Sequence, residues 1–485
     1  MIACADLEDA IRAGRPNSSI AFSASKKGRR PPRVVAVATK SAPPHPFFPA
    51  RSLLSYTHHP HHGLVPDPLA AGNCNPPQPP NALSTNKNVQ AAVFLAISLP
   101  YLQSRQYPLT LFLKNKPETL EETNKFSSSI LKFANTGVRN CEDGIVVEED
   151  AFAILSCDPG RDLWNTVMGT FYPHREKIPN GKLWIYRYGI DLDLQKHQDE
   201  NKGEAKVLQP IVFTDTPEDF SFHPLGVEYH RDTATLFVCN HHIDGSRIDI
   251  FVLDAEGKVP VARHVRSVIH PLLPGPNSVV ALSDHELYVT NDHYLLRKDH
   301  PFLALFETYA GIPGGTVAYV NLGEDKEPVE VRTVARGPFV NGVTLLNEST
   351  VAVAISAAAE VRLYRRLPDN GLEFLQAIKM PLLPDNLSTD KDGALLIAGH
   401  PHPPTLEKTV RKRRDCIDAQ GLVPQDCWKS TAPSWVARWT EARGVENLYV
   451  TASEFGSSAT AAKDATKNVG IVTGLYENGI LVWRE

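Results

Sequence analysis

A short pattern recurs along most of this chain: a small polar residue or glycine, a brief apolar strand, a turn with Asp, Asn or Glu, and a second apolar strand. It stands at P-L-G-V-E-Y then T-L-F-V-C, P-N-S-V-V-A-L then E-L-Y-V-T, V-N-G-V-T-L-L then T-V-A-V-A-I, and P-D-N-L-S-T then A-L-L-I-A. β-branched runs suit a pleated, half-buried surface, and Gly, Pro, Asn and Asp interrupt them, so the pattern reads as hairpins rather than helices. Its anchors Gly226, Asn277, Asn341 and Asn386 are spaced by 51, 64 and 45 residues, which suits one four-stranded blade per repeat. An all-β propeller is the architecture this predicts. Each inner strand then starts at the same end of a central channel, and the polar residue that opens it projects there.

The 485 residues leave room for a large domain and appendages. Residues 130–485 carry the strand texture and form the expected propeller. Residues 1–88 hold K-K-G-R-R-P-P-R and eleven prolines between 41 and 80, a composition that predicts disorder. Residues 89–129 form the link, and their window 89–113 is the most apolar of the chain, interrupted by Pro100 and the Gln103–Gln106 patch. Three readings of that window stand together: an interfacial helix with Tyr101 and Arg105 at the lipid headgroups, a tilted marginal anchor, or a helix packed on the domain. Residues 89–113 are therefore the candidate contact with a membrane surface.

A formal charge of −5 offers no basic face to displace counterions, which excludes nucleic acid as the expected partner. The first twenty residues lack the apolar core of a secretory signal, so localisation is left between membrane-associated and cytoplasmic. Seven cysteines form no C-x-x-C pair, which argues against a zinc cluster. Cys416 and Cys427 flank a polar loop and either close a small disulfide or remain thiols.

The strand openings supply Asn277, Asn341, Asp385 and Asn386, and the segment N-C-E-D-G adds Glu142 and Asp143. Amide and carboxylate oxygens in that number suit Ca²⁺, which takes six to eight oxygens in loose geometry. Turn chemistry explains any one of these asparagines; their recurrence at blade spacing favours a shared site.

The segments N-C-E-D-G, N-H-H-I-D, L-P-G-P-N-S-V-V-A-L, V-T-N-D-H-Y-L-L, F-V-N-G-V, P-D-N-L-S-T-D and G-H-P-H resemble, in order, the motifs of the serum paraoxonase family. The resemblance covers about residues 130–485 and leaves 1–88 unmatched. It implies a six-bladed propeller with a catalytic and a structural Ca²⁺, and a hydrolase of lactones or aryl esters in which the ion polarises the carbonyl. By motif, Glu142, Asn277, Asn341, Asp385 and Asn386 would hold the catalytic ion. Asp143 and the carbonyl of Val227 would serve the structural one, whose third ligand is replaced by Ser278.

Of the family's histidine pair, His241 remains and the other position is Leu225. Water activation is then expected from His241, from a ligand carboxylate, or from Asp292 or His293 of N-D-H-Y. The family's bridging disulfide has no counterpart cysteines here, which points to a cytosolic or cytosol-facing chain. A calcium-stabilised scaffold without catalysis, and a propeller of the strictosidine-synthase or gluconolactonase kind, are the competing readings. No G-x-S-x-G run is present, which favours metal chemistry over a serine nucleophile.

Overall fold

Every polar strand opening noted above falls on an inner strand that begins with a β-bulge. In the computed structural model, which describes residues 87–196, 204–323, 329–416 and 431–485, six such strands surround one axis: Cys141–Val147, Pro224–His230, Pro276–Ala281, Val340–Asn347, Leu383–Thr389 and Ser458–Asp464. Each packs against the next, and the last returns to the first. The register slips near the start of all six, between Cys141 and Asp143, Pro224 and Val227, Pro276 and Val279, Val340 and Val343, Pro384 and Leu387, and Ser458 and Ala461. A bulge bends the strand and re-aims the extra residue, which here turns the openings toward the axis.

Outward from each inner strand the chain meanders through antiparallel neighbours, giving sheets of four or five strands, with one parallel edge in the second blade, Val212–Thr214 against Val261–Val268. The sixth blade is closed by an early segment: Ser128–Lys132 pairs antiparallel with Ile480–Arg484 and supplies its outermost strand. Thr123–Asn124 adds an edge to the fifth blade. Both strands begin before residue 130, because an outer strand from the beginning of the domain satisfies the ladder left open at its end. Apolar side chains fill the spaces between sheets, as where Phe152, Ile154 and Ile185 of the first blade meet Leu236, Val238 and Phe251 of the second.

Glycine permits the closest approaches between inner strands. A methyl group at Gly226 would lie 2.6 Å from the carbonyl oxygen of Asn277, and one at Gly342 would lie 2.6 Å from Cα of Asn386.

Three helices lie at the end where the openings converge. The first, Lys87–Lys114, includes Pro100 and Pro108, and from Ser98 onward its contacts are those of a helix packed on the domain. Leu111 is buried, the Tyr107 hydroxyl donates to the Met380 carbonyl at 2.9 Å, and the Tyr101 hydroxyl donates to the Ala310 carbonyl at 2.5 Å. Arg105, expected at lipid headgroups, is instead buried. Among the described residues no helix is long and apolar enough to cross a membrane. The other two, Pro301–Ala310 and Pro403–Asp415, are insertions in the third and fifth blades.

The disorder expected of 1–88 concerns residues that lie almost wholly outside those described, as does the Cys416–Cys427 pairing. Cys416 is disulfide-bonded, and Cys141 and Cys157, partners across the first two strands of blade one, form a disulfide. The family's bridge is missing, yet disulfides are present elsewhere in the chain. Opposed positions on neighbouring strands bring the sulfurs together, a relation that cysteine spacing alone does not reveal.

Candidate active site

A cavity opens to solvent at the axial end, with Glu142, Asn277, Asn341 and Asp385 in its lining. Asn386 joins them from the side: its Nδ2 donates to Glu142 Oε1 at 3.1 Å and to the Glu142 carbonyl at 3.2 Å. Asn341 Nδ2 donates to Asp385 Oδ1 at 2.6 Å and to Ser356 Oγ at 3.2 Å. Each of these amide nitrogens is fixed by a carboxylate, which fixes the direction of the amide oxygen as well.

Those oxygens have nothing to accept. Glu142 Oε2, Asn277 Oδ1, Asn341 Oδ1 and Asn386 Oδ1 are buried without a hydrogen-bond partner. A buried polar atom left unmatched costs about 1–3 kcal/mol, and four of them from four blades at one end of the channel form a cradle of hard oxygen donors. Burial, then the neighbouring Asp385 and Asp143 carboxylates, push the Glu142 carboxyl well above its ordinary range, while the Arg161 guanidinium opposes this. Such a site favours a cation or a proton. The donor set fits a divalent ion of the calcium type.

The expected second ion finds no comparable set. Asp143 Oδ1 accepts from the Gly144 amide at 2.8 Å and from Thr460 Oγ1 at 2.9 Å, and Oδ2 accepts from the Val227 amide at 2.9 Å. Val227 thus meets Asp143 through its N–H, and Ser278 Oγ receives the Val343 amide at 3.3 Å. Protein donors already meet both oxygens of Asp143, and this set shows no partnerless oxygen of the kind found in the first.

The expected bases lie apart from the cradle. His241, Asp292 and His293 line a neighbouring cavity that shares Arg297 alone with the first. Both ring nitrogens of His241 are engaged, Nδ1 with Thr166 Oγ1 and Nε2 with the Pro276 carbonyl at 2.8 Å. Burial lowers its pKa, partly countered by Asp292. Asp292 Oδ1 accepts the His293 amide at 2.7 Å, and His293 Nε2 meets Thr308 Oγ1 at 2.7 Å. All three side chains are buried with these partners, and none lines the first cavity.

The histidine that does line the main cavity is His400. Its Nε2 meets Asp385 Oδ2 at 3.0 Å, while its Nδ1 is buried without a partner. The G-H-P-H motif contained this residue, and the signal that finds it is hairpin register: His400 pairs with Leu383, two positions before Asp385.

The arylesterase family model matches residues 179–411. Serum paraoxonase/arylesterase 2 of dog is 32% identical over 188 residues, covering 38% of this chain and 50% of that protein. Human serum paraoxonase/arylesterase 1 is 30% identical over 210 residues, covering 42% and 56% respectively. This chain is a six-bladed propeller related to the paraoxonases and arylesterases. It spans about half the length of the curated relatives it matches.

Among solved structures, a gluconolactonase of Xanthomonas campestris aligns with a TM-score of 0.42 and 14% identity, covering 74% of this chain and 90% of that one. A luciferin-regenerating enzyme aligns with a TM-score of 0.42 and 12% identity, covering 74% and 96%. Asn277, Asn341, Asp385, Asn386 and His400 of this chain fall within the matched segment, whereas Glu142 precedes it.

A different group able to hold a metal, Asp219, His242 and Asp244, has ligand atoms within 4.8 Å of one another. There His242 is already bonded at both nitrogens, to the Asp219 carbonyl at 2.9 Å and the Asp244 amide at 3.1 Å. Asp244 also pairs with Arg175 at 3.0 Å. Only the tertiary fold brings Asp219 to His242 and Asp244, so no sequence motif marks this surface group.

Proposed function

We propose that this chain hydrolyses lactones or aryl esters with Ca²⁺ held by Glu142, Asn277, Asn341, Asp385 and Asn386. The observation that carries the reading is the set of four buried, partnerless oxygens from four blades, three of them on residues lining one cavity and the fourth on Asn386, which is bonded to Glu142. When bound, the ion would act as a Lewis acid that polarises the substrate carbonyl and offsets charge developing on its oxygen.

The protein's own groups supply the rest. Asp385 Oδ2 accepts the Nε2 hydrogen of His400, which leaves the lone pair of His400 on Nδ1, the atom without a partner. A water beside the substrate carbonyl can give its proton to that atom, and the imidazolium so formed is balanced by the Asp385 carboxylate. Asp385 thus positions the base and serves the cradle, since a carboxylate has about four acceptor directions. Leu225, Phe339 and Leu406 in the lining hold the acyl chain and exclude bulk water. Leucine at 225 takes no proton, and His400 makes a second histidine unnecessary.

The test is hydrolysis of γ- and δ-lactones and phenyl acetate by the full chain, with calcium and with chelator, alongside His400→Gln. Chelation should abolish turnover, and His400→Gln should lower kcat by about 10²–10⁴-fold while calcium still binds. Turnover indifferent to chelator, or undiminished in His400→Gln, refutes the proposal. Calcium binding with no turnover of any member supports the scaffold reading instead.

A further inference from the structure

The same cavity is lined by three guanidinium groups, and two of them, Arg105 and Arg161, form no ion pair among the described residues. Arg105, on the N-terminal helix, is 7% exposed. Its Nη1 donates to the Ala357 carbonyl at 2.6 Å and its Nη2 to the Tyr309 carbonyl at 3.3 Å, while Nε is buried without a partner. No carboxylate among the described residues forms an ion pair with it. Gly311 makes room for this group: a methyl there would collide with the guanidinium. Arg161 is likewise bound by carbonyls, Nε to Asn140 at 3.3 Å and Nη2 to Pro224 at 2.9 Å. Arg297 pairs with Glu407 at 2.9 Å.

The charges of the lining do not stay balanced once the site is loaded. Arg105, Arg161 and Arg297 face Glu142, Asp385 and Glu407. Two of those carboxylates belong to the proposed ion site, so a bound divalent cation leaves the cavity with net positive charge. A buried cation without a counter-charge is costly, and burial does lower the Arg105 pKa. An anion entering with the substrate would relieve this. A guanidinium with uncommitted N–H groups offers a planar fork suited to a carboxylate.

We infer that the substrate bears a carboxylate held by Arg105 inside an otherwise largely apolar cavity, making it an ester or lactone on an acid-bearing chain. The inference rests on the assignment of this cavity as the substrate site. A purely structural Arg105, pinning the helix through two carbonyls, predicts instead that its loss affects charged and neutral ligands alike.

Two measurements on the calcium-loaded full chain separate these outcomes. In calorimetric binding, octanoate should bind about ten- to a hundredfold more tightly than octanamide, the range expected for one charge-assisted contact. In Arg105→Met that preference should vanish while octanamide binding is unchanged, and Arg105→Lys should keep part of it. In hydrolysis, monomethyl suberate should exceed dimethyl suberate in kcat/KM in the wild type and lose that advantage in Arg105→Met.

Equal binding of octanoate and octanamide by the wild type overturns the inference, whatever the variants do. So does a preference that survives in folded Arg105→Met. Octanoate preference without any ester turnover would sink the hydrolase reading and leave the carboxylate site standing.

Discussion

Chelation of calcium should destabilise this protein by several kcal/mol, and replacing Asn277 by leucine should act in opposite directions on the two forms. Four buried oxygens without partners carry about 1–3 kcal/mol each, so the ion-free fold bears about 4–12 kcal/mol before relaxation. Linkage gives an independent figure: an ion at a thousand times its dissociation constant stabilises the fold by about 4 kcal/mol. The two estimates overlap, and we expect about 4 kcal/mol between calcium-loaded and chelated protein.

In Asn277→Leu one ligand is lost and one orphaned oxygen disappears with it. The chelated form should then gain about 1 kcal/mol, while the calcium response shrinks. Urea unfolding followed by tryptophan fluorescence, with calcium and with chelator, measures both. Coincident wild-type curves in the two buffers would refute the cradle, as would an Asn277→Leu variant that weakens the chelated form as much as the loaded one.

Gly342→Ala puts a methyl 2.6 Å from Asn386 Cα and 2.8 Å from the Asp385 carbonyl oxygen, so it should separate two inner strands at the site. A cost of about 1–3 kcal/mol and weaker calcium binding are expected, checked by urea unfolding and calcium titration. Glu228 supplies a pH test: burial raises its pKa from 4.5 to about 8, against the Ala281 amide, which lowers it. A raised carboxyl stabilises the fold below its unfolded pKa, and that stability is lost as pH climbs from about 4.5 to 8. The full shift is worth at most about 5 kcal/mol, and because Glu228 is partly exposed we expect about 2 kcal/mol. Glu228→Gln should therefore match the wild type near pH 5 and exceed it above pH 8 in pH-resolved melting, with equal melting profiles refuting the assignment.

The blades and the cradle were legible for one reason. Asn277, Asn341 and Asp385 with Asn386 each occupy the same place in a repeat, and a closed ring of repeats turns equal place into spatial convergence. The surroundings of the candidate bases were not legible in that way. His241, Asp292 and His293 stand in recognisable motifs, yet their bulged or looped backbones aim them into a neighbouring cavity and commit His241 to Pro276 and Thr166. His400 was visible only as part of a motif, because the role proposed for it depends on a strand pairing that places it beside Asp385.

By itself the sequence determined the strand texture, the repeat and the oxygen-rich openings, since these follow from local side-chain chemistry and spacing. Tertiary structure alone decided that Ser128–Lys132 closes the ring against Ile480–Arg484, that Asp143 is met by the amide of Val227, and that Arg105 lines the cavity rather than a lipid surface. Each depends on partners brought together from distant stretches of chain, whose meeting is set by ring closure and packing rather than by any local preference.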